Sequence, residues 1–210
     1  MEIKYSSRRI NLPGKKLNNL DIFVLDFVKI LEKYARYVIV NGYVSILFGR
    51  SRATEDIDIL VERKDLTSFF KTLDKKSYWL INTEADEVNE MLYESAVRVA
   101  KKGSVIPNFE IKFAKTRIDE LALNNRVKLC FGKRKLYISP IDLQIVYKLF
   151  LGSEKDIEDA RHIFNLFVDY LDLNRIHSLA KDLKVESKLK LLGDFHDRFK
   201  GVKKDEKKEF

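Results

Sequence analysis

The chain has 210 residues, 45% apolar and 34% charged, with 40 basic against 32 acidic side chains. That length suits one domain, or one domain with a small appendage, and buries roughly 70% of its unfolded surface. The lone cysteine, Cys130, excludes an internal disulfide and a thiolate zinc site.

No apolar run reaches the ~18 residues of a membrane helix. The opening MEIKYSSRRI also lacks the apolar stretch of a secretory signal. The expected setting is therefore the cytoplasm, with no membrane partner. Few glycines and prolines, with 11% aromatics, argue for a globular chain over a low-complexity one. A single Gln (Gln144) and two Met among many Lys, Glu and Ile fit a thermophile source.

In chain order, residues 19–35 carry apolar side chains at helical spacing, with Asn19 or Asp21 as the cap. Tyr37–Val40 reads as a buried strand ended by Asn41-Gly42, and Tyr43–Phe48 as a short helix closed by Gly49. Asp56–Val61 alternates as a strand. Helices are expected over Asp65–Leu73, Ala85–Glu94 and Ile118–Leu123. Strands are expected over Ala96–Ala100 and Phe109–Phe113, with a hairpin of Val127–Phe131 and Leu136–Ile138 over Gly132. Trp79 and the phenylalanines read as core, and Cys130 as a small buried hydrophobe.

Past Ser139-Pro140, a helix start signal, the pattern turns helical over Ile141–Phe150, Lys155–Leu171, Leu173–Leu183 and Glu186–Phe199. The expected organisation is an α/β domain over 1–138, a helical region over 139–200 and a flexible tail over 201–210. The expected fold class is α+β: a mixed sheet flanked by helices, with a helical C-terminal part.

Charge is concentrated. Between Lys101 and Pro140 ten basic residues face three acids, and in the first twenty residues five face one. Such density favours a polyanionic partner, because Lys and Arg release counterions from phosphates; a merely solvated, solubilising surface is the alternative.

The chemistry concentrates in VIVNGYVSILFGRSRATEDIDILVE, residues 38–62. Asp56 and Asp58 point to one side of their strand, with Cα atoms roughly 6.6 Å apart. Two carboxylates so placed suit a hard divalent cation such as Mg²⁺. Gly42, at a strand-to-helix junction, lets backbone N–H groups approach a phosphate. Glu110, on the polar side of PNFEIKF, is the candidate third acid.

Asn41-Gly42, Gly49, Arg52, Thr54 and Asp56-Ile57-Asp58 resemble the GG-x-A…G-x-x-R-x-T-x-D-h-D signature of the nucleotidyltransferase superfamily related to DNA polymerase β. Among its branches the chain is most similar to the AbiEii-type toxins and their archaeal relatives. Lys148, then Lys155-Asp156 and Asp159, extend the likeness to about residues 36–170. Asn41 replaces the first glycine of the signature and Val44 its alanine.

The resemblance implies a Mg²⁺ (or Mn²⁺) ion held by Asp56, Asp58 and Glu110, and catalysis by these three acids with Lys148. It implies a nucleotide-binding set of Asn41, Gly42, Tyr43, Arg52, Thr54, Lys112, Lys155 and Asp156. The substrate would be a nucleoside triphosphate, the acceptor RNA such as a tRNA end, and the setting toxin–antitoxin-like, with an antitoxin protein as partner.

Each residue also has a plainer reading. Glu110 would be a surface acid paired with Lys112, and Arg52 would pair with Glu55. Lys148 would snorkel at a helix edge, and Asp156 and Asp159 would be ordinary early-helix acids. The scattered histidines do not suggest a metal site. Two other functions stay open: a non-catalytic nucleic-acid-binding module on the same fold, and a small-molecule nucleotidyltransferase of the antibiotic-modifying kind.

Overall fold

In the computed structural model, residues 2–6 and 8–199 are described; the expected tail over 201–210 lies outside them. Contacts cluster into two compact units. Of the described residues, one unit contains those up to Leu47 with Ser51–Pro140; the other contains Phe48–Arg50 with those from Ile141 to Phe199.

The first unit is built on a mixed sheet of nine strands among the described residues, in the order β1-β2-β8-β9-β3-β4-β7-β6-β5. Chain order runs β1 (Lys4–Ser6), β2 (Arg9–Asn11), α1 (Asn19–Leu31), β3 (Tyr37–Ile39), α2 (Gly42–Leu47) and β4 (Asp56–Val61). Next come α3 (Thr67–Asp74), β5 (Tyr78–Leu80), α4 (Val88–Glu94), β6 (Val97–Lys101), β7 (Asn108–Phe113) and α5 (Arg117–Asn124). The hairpin β8 (Val127–Phe131) and β9 (Arg134–Ile138) completes it.

β4 lies between β3, antiparallel, and β7, parallel. The central strands are buried because Ile57, Ile59 and Val61 meet Phe109, Ile111 and Phe113 across the β4–β7 ladder. Phe27 of α1 stacks on Phe109 at 3.7 Å between ring centroids, fixing the helix on that face. The cap of α1 is Asn18, one residue before the expected pair. Its side chain accepts from the Asp21 amide at 2.8 Å while Asp21 accepts from the Asn18 amide at 3.2 Å, a capping box.

The strands β1, β2 and β5, three residues each and the first and last of them at the sheet edges, are not among the expected elements. So short a run holds at most two residues per face, too few to show alternation. Trp79 of β5 is only half-buried, its indole donating to the Ser104 carbonyl at 2.8 Å, so it is an edge residue and not core. Cys130 is buried, 6% exposed.

The second unit holds α6 (Ile141–Leu151), α7 (Glu154–Phe167) and α8 (Leu173–Asp182). The helix expected to reach Leu171 passes into a 3-10 turn at Val168–Tyr170. The one expected over Glu186–Phe199 is a 3-10 helix to Leu192, stopped at Gly193 (φ 77°) before residues 195–199 turn helical again. A glycine in the left-handed region is a common helix stop. Among the described residues no helix is long and apolar enough to cross a membrane.

Candidate active site

The site begins with one turn. Val40 donates its amide to the Asp58 carbonyl at 3.1 Å, so the end of β3 is locked beside the acid-bearing start of β4. Asn41 then takes φ 60°, a left-handed conformation that asparagine tolerates better than most side-chain-bearing residues. Its side chain hydrogen-bonds Asp58. Gly42 opens α2. A Cβ there would lie 2.3 Å from the Arg52 guanidinium, so only glycine leaves room for that group where it sits. Arg52 also donates to the Ala53 carbonyl at 3.1 Å.

Asp56 and Asp58 are both half-buried and share a side of β4. Thr54 places the first of them, its hydroxyl donating to the Asp56 carbonyl at 2.9 Å. Parallel pairing sets Asp58 opposite Glu110, and antiparallel pairing sets Glu110 opposite Arg98. The three acids thus occupy two adjacent strands on one face.

Their cations sit among them. Lys112 bonds Glu110 and lies 3.9 Å from Asp58, and Arg98 donates to the other Glu110 oxygen at 3.0 Å. Burial pushes the Asp58 carboxyl up, Asp56 and Glu110 add to the rise, and Lys112 and Asn41 oppose it. Burial acts on Glu110 too, but the hydrogen bonds from Lys112 and Arg98 hold it below the usual glutamate range. Among the described residues no three such side chains are spaced to share a metal ion; the Lys112 ammonium stands where Asp58 and Glu110 would converge. The donor set itself, three carboxylates, offers the all-oxygen ligands that a hard divalent cation takes.

Tyr43 is placed otherwise than a nucleotide contact requires. Its ring is buried and its hydroxyl donates to Asp21 at 2.9 Å, so its side chain braces α2 on α1.

In the helical unit the plainer readings of Lys148 and the two aspartates give way. Lys148 is 2% exposed and bonds Asp156 at 2.6 Å and Asp159 at 3.1 Å. Asp159 is fully buried, and Arg50 approaches it to 3.7 Å. Ser153 caps α7 and donates to Asp156 at 2.6 Å. Lys155 is exposed. A lysine on an apolar helix reads as an edge residue until both aspartates on α7 are seen to face it.

Arg98, Arg50 and Ser153 were not expected at these positions. Arg98 was recoverable: a hairpin turning about Ser104 puts residue 98 opposite residue 110.

No protein-family model and no curated protein matches the chain. Solved structures do. An antigenic nucleotidyltransferase-like protein from Paracoccidioides brasiliensis superposes with a TM-score of 0.50 at 14% identity, over 81% of this chain and 90% of that one. ANT(2″)-Ia, in complex with adenylyl-2″-tobramycin, gives 0.54 at 11% identity, over 80% and 98%. A solution structure of ANT(2″)-Ia, described as an antibiotic-resistance factor, gives 0.52 at 11% identity, over 85% and 99%. The chain has the nucleotidyltransferase fold, α+β with a mixed sheet flanked by helices.

Proposed function

We propose that the protein moves a nucleoside monophosphate from a nucleoside triphosphate to an acceptor hydroxyl, releasing pyrophosphate. The acceptor is RNA, such as a tRNA end, in a toxin–antitoxin-like setting with an antitoxin protein as partner. The observation that carries the transfer reading is the Asn41-Gly42 turn, locked by β3–β4 pairing beside the Asp56 and Asp58 carboxylates.

A Mg²⁺ or Mn²⁺ ion held by Asp56 and Asp58, with Glu110 as third acid, would neutralise charge on the transferred phosphorus. The protein's own residues position the substrate. Arg52, resting on Gly42, is aimed to clamp the triphosphate, and Gly42 keeps the backbone approachable. Lys112 exchanges its carboxylate partners for phosphate oxygens as the triphosphate arrives. Thr54 and Asn41 hold Asp56 and Asp58 in place for in-line attack. Lys148, Lys155 and Asp156 are assigned to nucleotide handling on the family resemblance.

Calorimetric titration with magnesium and each nucleoside triphosphate tests this. Saturable binding is expected, weakened about tenfold or more by Asp56→Asn with Asp58→Asn, with the thermal midpoint kept. Equal binding by wild type and double variant overturns the reading.

The seat of Lys112 between Asp58 and Glu110 favours one second reading, a non-catalytic nucleic-acid-binding module. It predicts RNA binding without metal-dependent triphosphate affinity. The fold likeness to ANT(2″)-Ia keeps a small-molecule acceptor as the other; transfer to such a molecule and never to RNA would select it.

A further inference from the structure

The two basic stretches of the sequence lie over a hundred residues apart, and strand pairing partly rejoins them. β2 runs parallel to β8 with Arg9 opposite Lys128, and Lys128 stands opposite Tyr137 on β9. In the next row Lys4 is opposite Asn11, Asn11 opposite Cys130, and Cys130 opposite Lys135. Directly paired residues share a face. Lys4, Arg9, Lys128 and Lys135 therefore stand together on one face, around Tyr137.

Lys4, Arg9 and Lys135 are exposed, while Lys128 and Tyr137 are half-buried. Arg126 adds a guanidinium 4.0 Å from the Tyr137 ring centroid. The other basic residues of the 101–140 stretch do not all join. Arg134 alternates to the opposite face and reaches Asp26 at 3.9 Å, while Lys112 belongs to β7.

The acids stand on the same face of the sheet, beyond a stretch at Val38 and Leu60 that is buried. Ile138 is opposite Ile39, so the preceding Tyr137 and Val38 share the other side; Val38 is opposite Leu60, two residues from Asp58. Four strand spacings separate β2 from β4, roughly 19 Å. The counter-charges on the basic strip are weak competitors. Glu2 pairs with Lys4 at 3.1 Å and Glu32 with Lys135 at 2.7 Å, both accessible to solvent, where such pairs contribute little.

We propose that this face of β1, β2, β8 and β9 holds the phosphate backbone of a single-stranded RNA acceptor. The inference rests on the RNA-acceptor reading above and names the surface that serves it. Tyr137 with Arg126 forms a planar rest within the track, and the lysines and Arg9 neutralise phosphates on either side.

The test is fluorescence anisotropy of a labelled single-stranded oligoribonucleotide against the full chain, in chelator and without triphosphate, over a series of salt concentrations. Arg9→Ala with Lys128→Ala and Lys135→Ala is compared with Lys64→Ala, Lys75→Ala and Lys76→Ala, which remove the same charge elsewhere on the same unit. The first triple is expected to bind about tenfold or more weakly and to lower the salt slope by about 2, since each lost phosphate contact removes ~0.7 for single strands. The charge-keeping set Arg9→Lys, Lys128→Arg and Lys135→Arg is expected to restore both, which separates charge from folding. If wild type binds and the two alanine triples weaken it equally, the surface assignment is overturned while the RNA reading stands. If wild type binds no RNA, both fall.

Discussion

At the scale of single residues, the site depends on two adjacent backbone positions with different demands. Asn41 needs a left-handed conformation and Gly42 needs space beneath Arg52. Asn41→Val should lose about 1–2 kcal/mol from the conformation alone, and more with its hydrogen bond to Asp58 gone, whereas Asn41→Gly, which keeps the conformation and loses the hydrogen bond alone, should lose less than Asn41→Val; chemical denaturation of both decides. Gly42→Ala is a different case, because its backbone is ordinary and the displaced group is the tip of a flexible arginine. Its stability should change by less than about 1 kcal/mol, while triphosphate affinity falls as Arg52 is pushed off its seat. A large stability loss without an affinity change would contradict that role for Arg52.

At the scale of elements, the helical unit places a charge network where an apolar seam would be simpler. Lys148 on α6 is buried against Asp156 and Asp159 on α7. Lys148→Ala removes the cation that both buried carboxylates share, leaving Arg50 near Asp159 and the Ser153 hydroxyl on Asp156, and should cost about 3–5 kcal/mol in urea melts. Burial alone would raise Asp156, but the bonds from Lys148 and Ser153 bring it below the aspartate value of 3.8. A carboxyl depressed in the folded state stabilises it above its unfolded pKa and gives that up as pH falls through the lower, folded value. Acid melts below about pH 4 should therefore be steeper for wild type than for Asp156→Asn.

The same scale shows what the sequence discloses. β4 is read at its true bounds because DIDILV alternates and polar residues flank it. α6 is placed because Ser139-Pro140 marks its start. β3, three residues long, is read as an unbroken apolar run, while β1, β2 and β5, equally short and more polar, give no period to read, and the break at Gly193 is hidden within a helical pattern. The face of Glu110 was legible from the apolar alternation of its strand. Its neighbours were not, because register is set by the pairing of β7 with β4 and β6 and not by either strand alone. For the same reason Lys148 looked peripheral, its partners lying on the next helix.

At the scale of the whole chain, order along the sequence and order across the sheet diverge, and function follows the second. β8 and β9, late in the chain, insert between β2 and β3, which sets N-terminal and central basic residues side by side on the acids' face. The fold is that of the nucleotidyltransferases, with the paired aspartates at the start of a central strand. Cys130, buried within this sheet, should react with a thiol reagent only slowly in the native protein and at full rate in denaturant; prompt native reaction would contradict its burial.

The central claim is nucleotidyl transfer, and the most direct measurement follows the nucleotide itself. The protein is incubated with each α-labelled nucleoside triphosphate, magnesium and total RNA, beside the folded Asp56→Asn, Asp58→Asn variant. Label is expected to enter RNA with wild type alone and with one nucleotide in preference. Label entering RNA equally with the double variant, or entering no acceptor with a folded wild-type protein, would contradict the account.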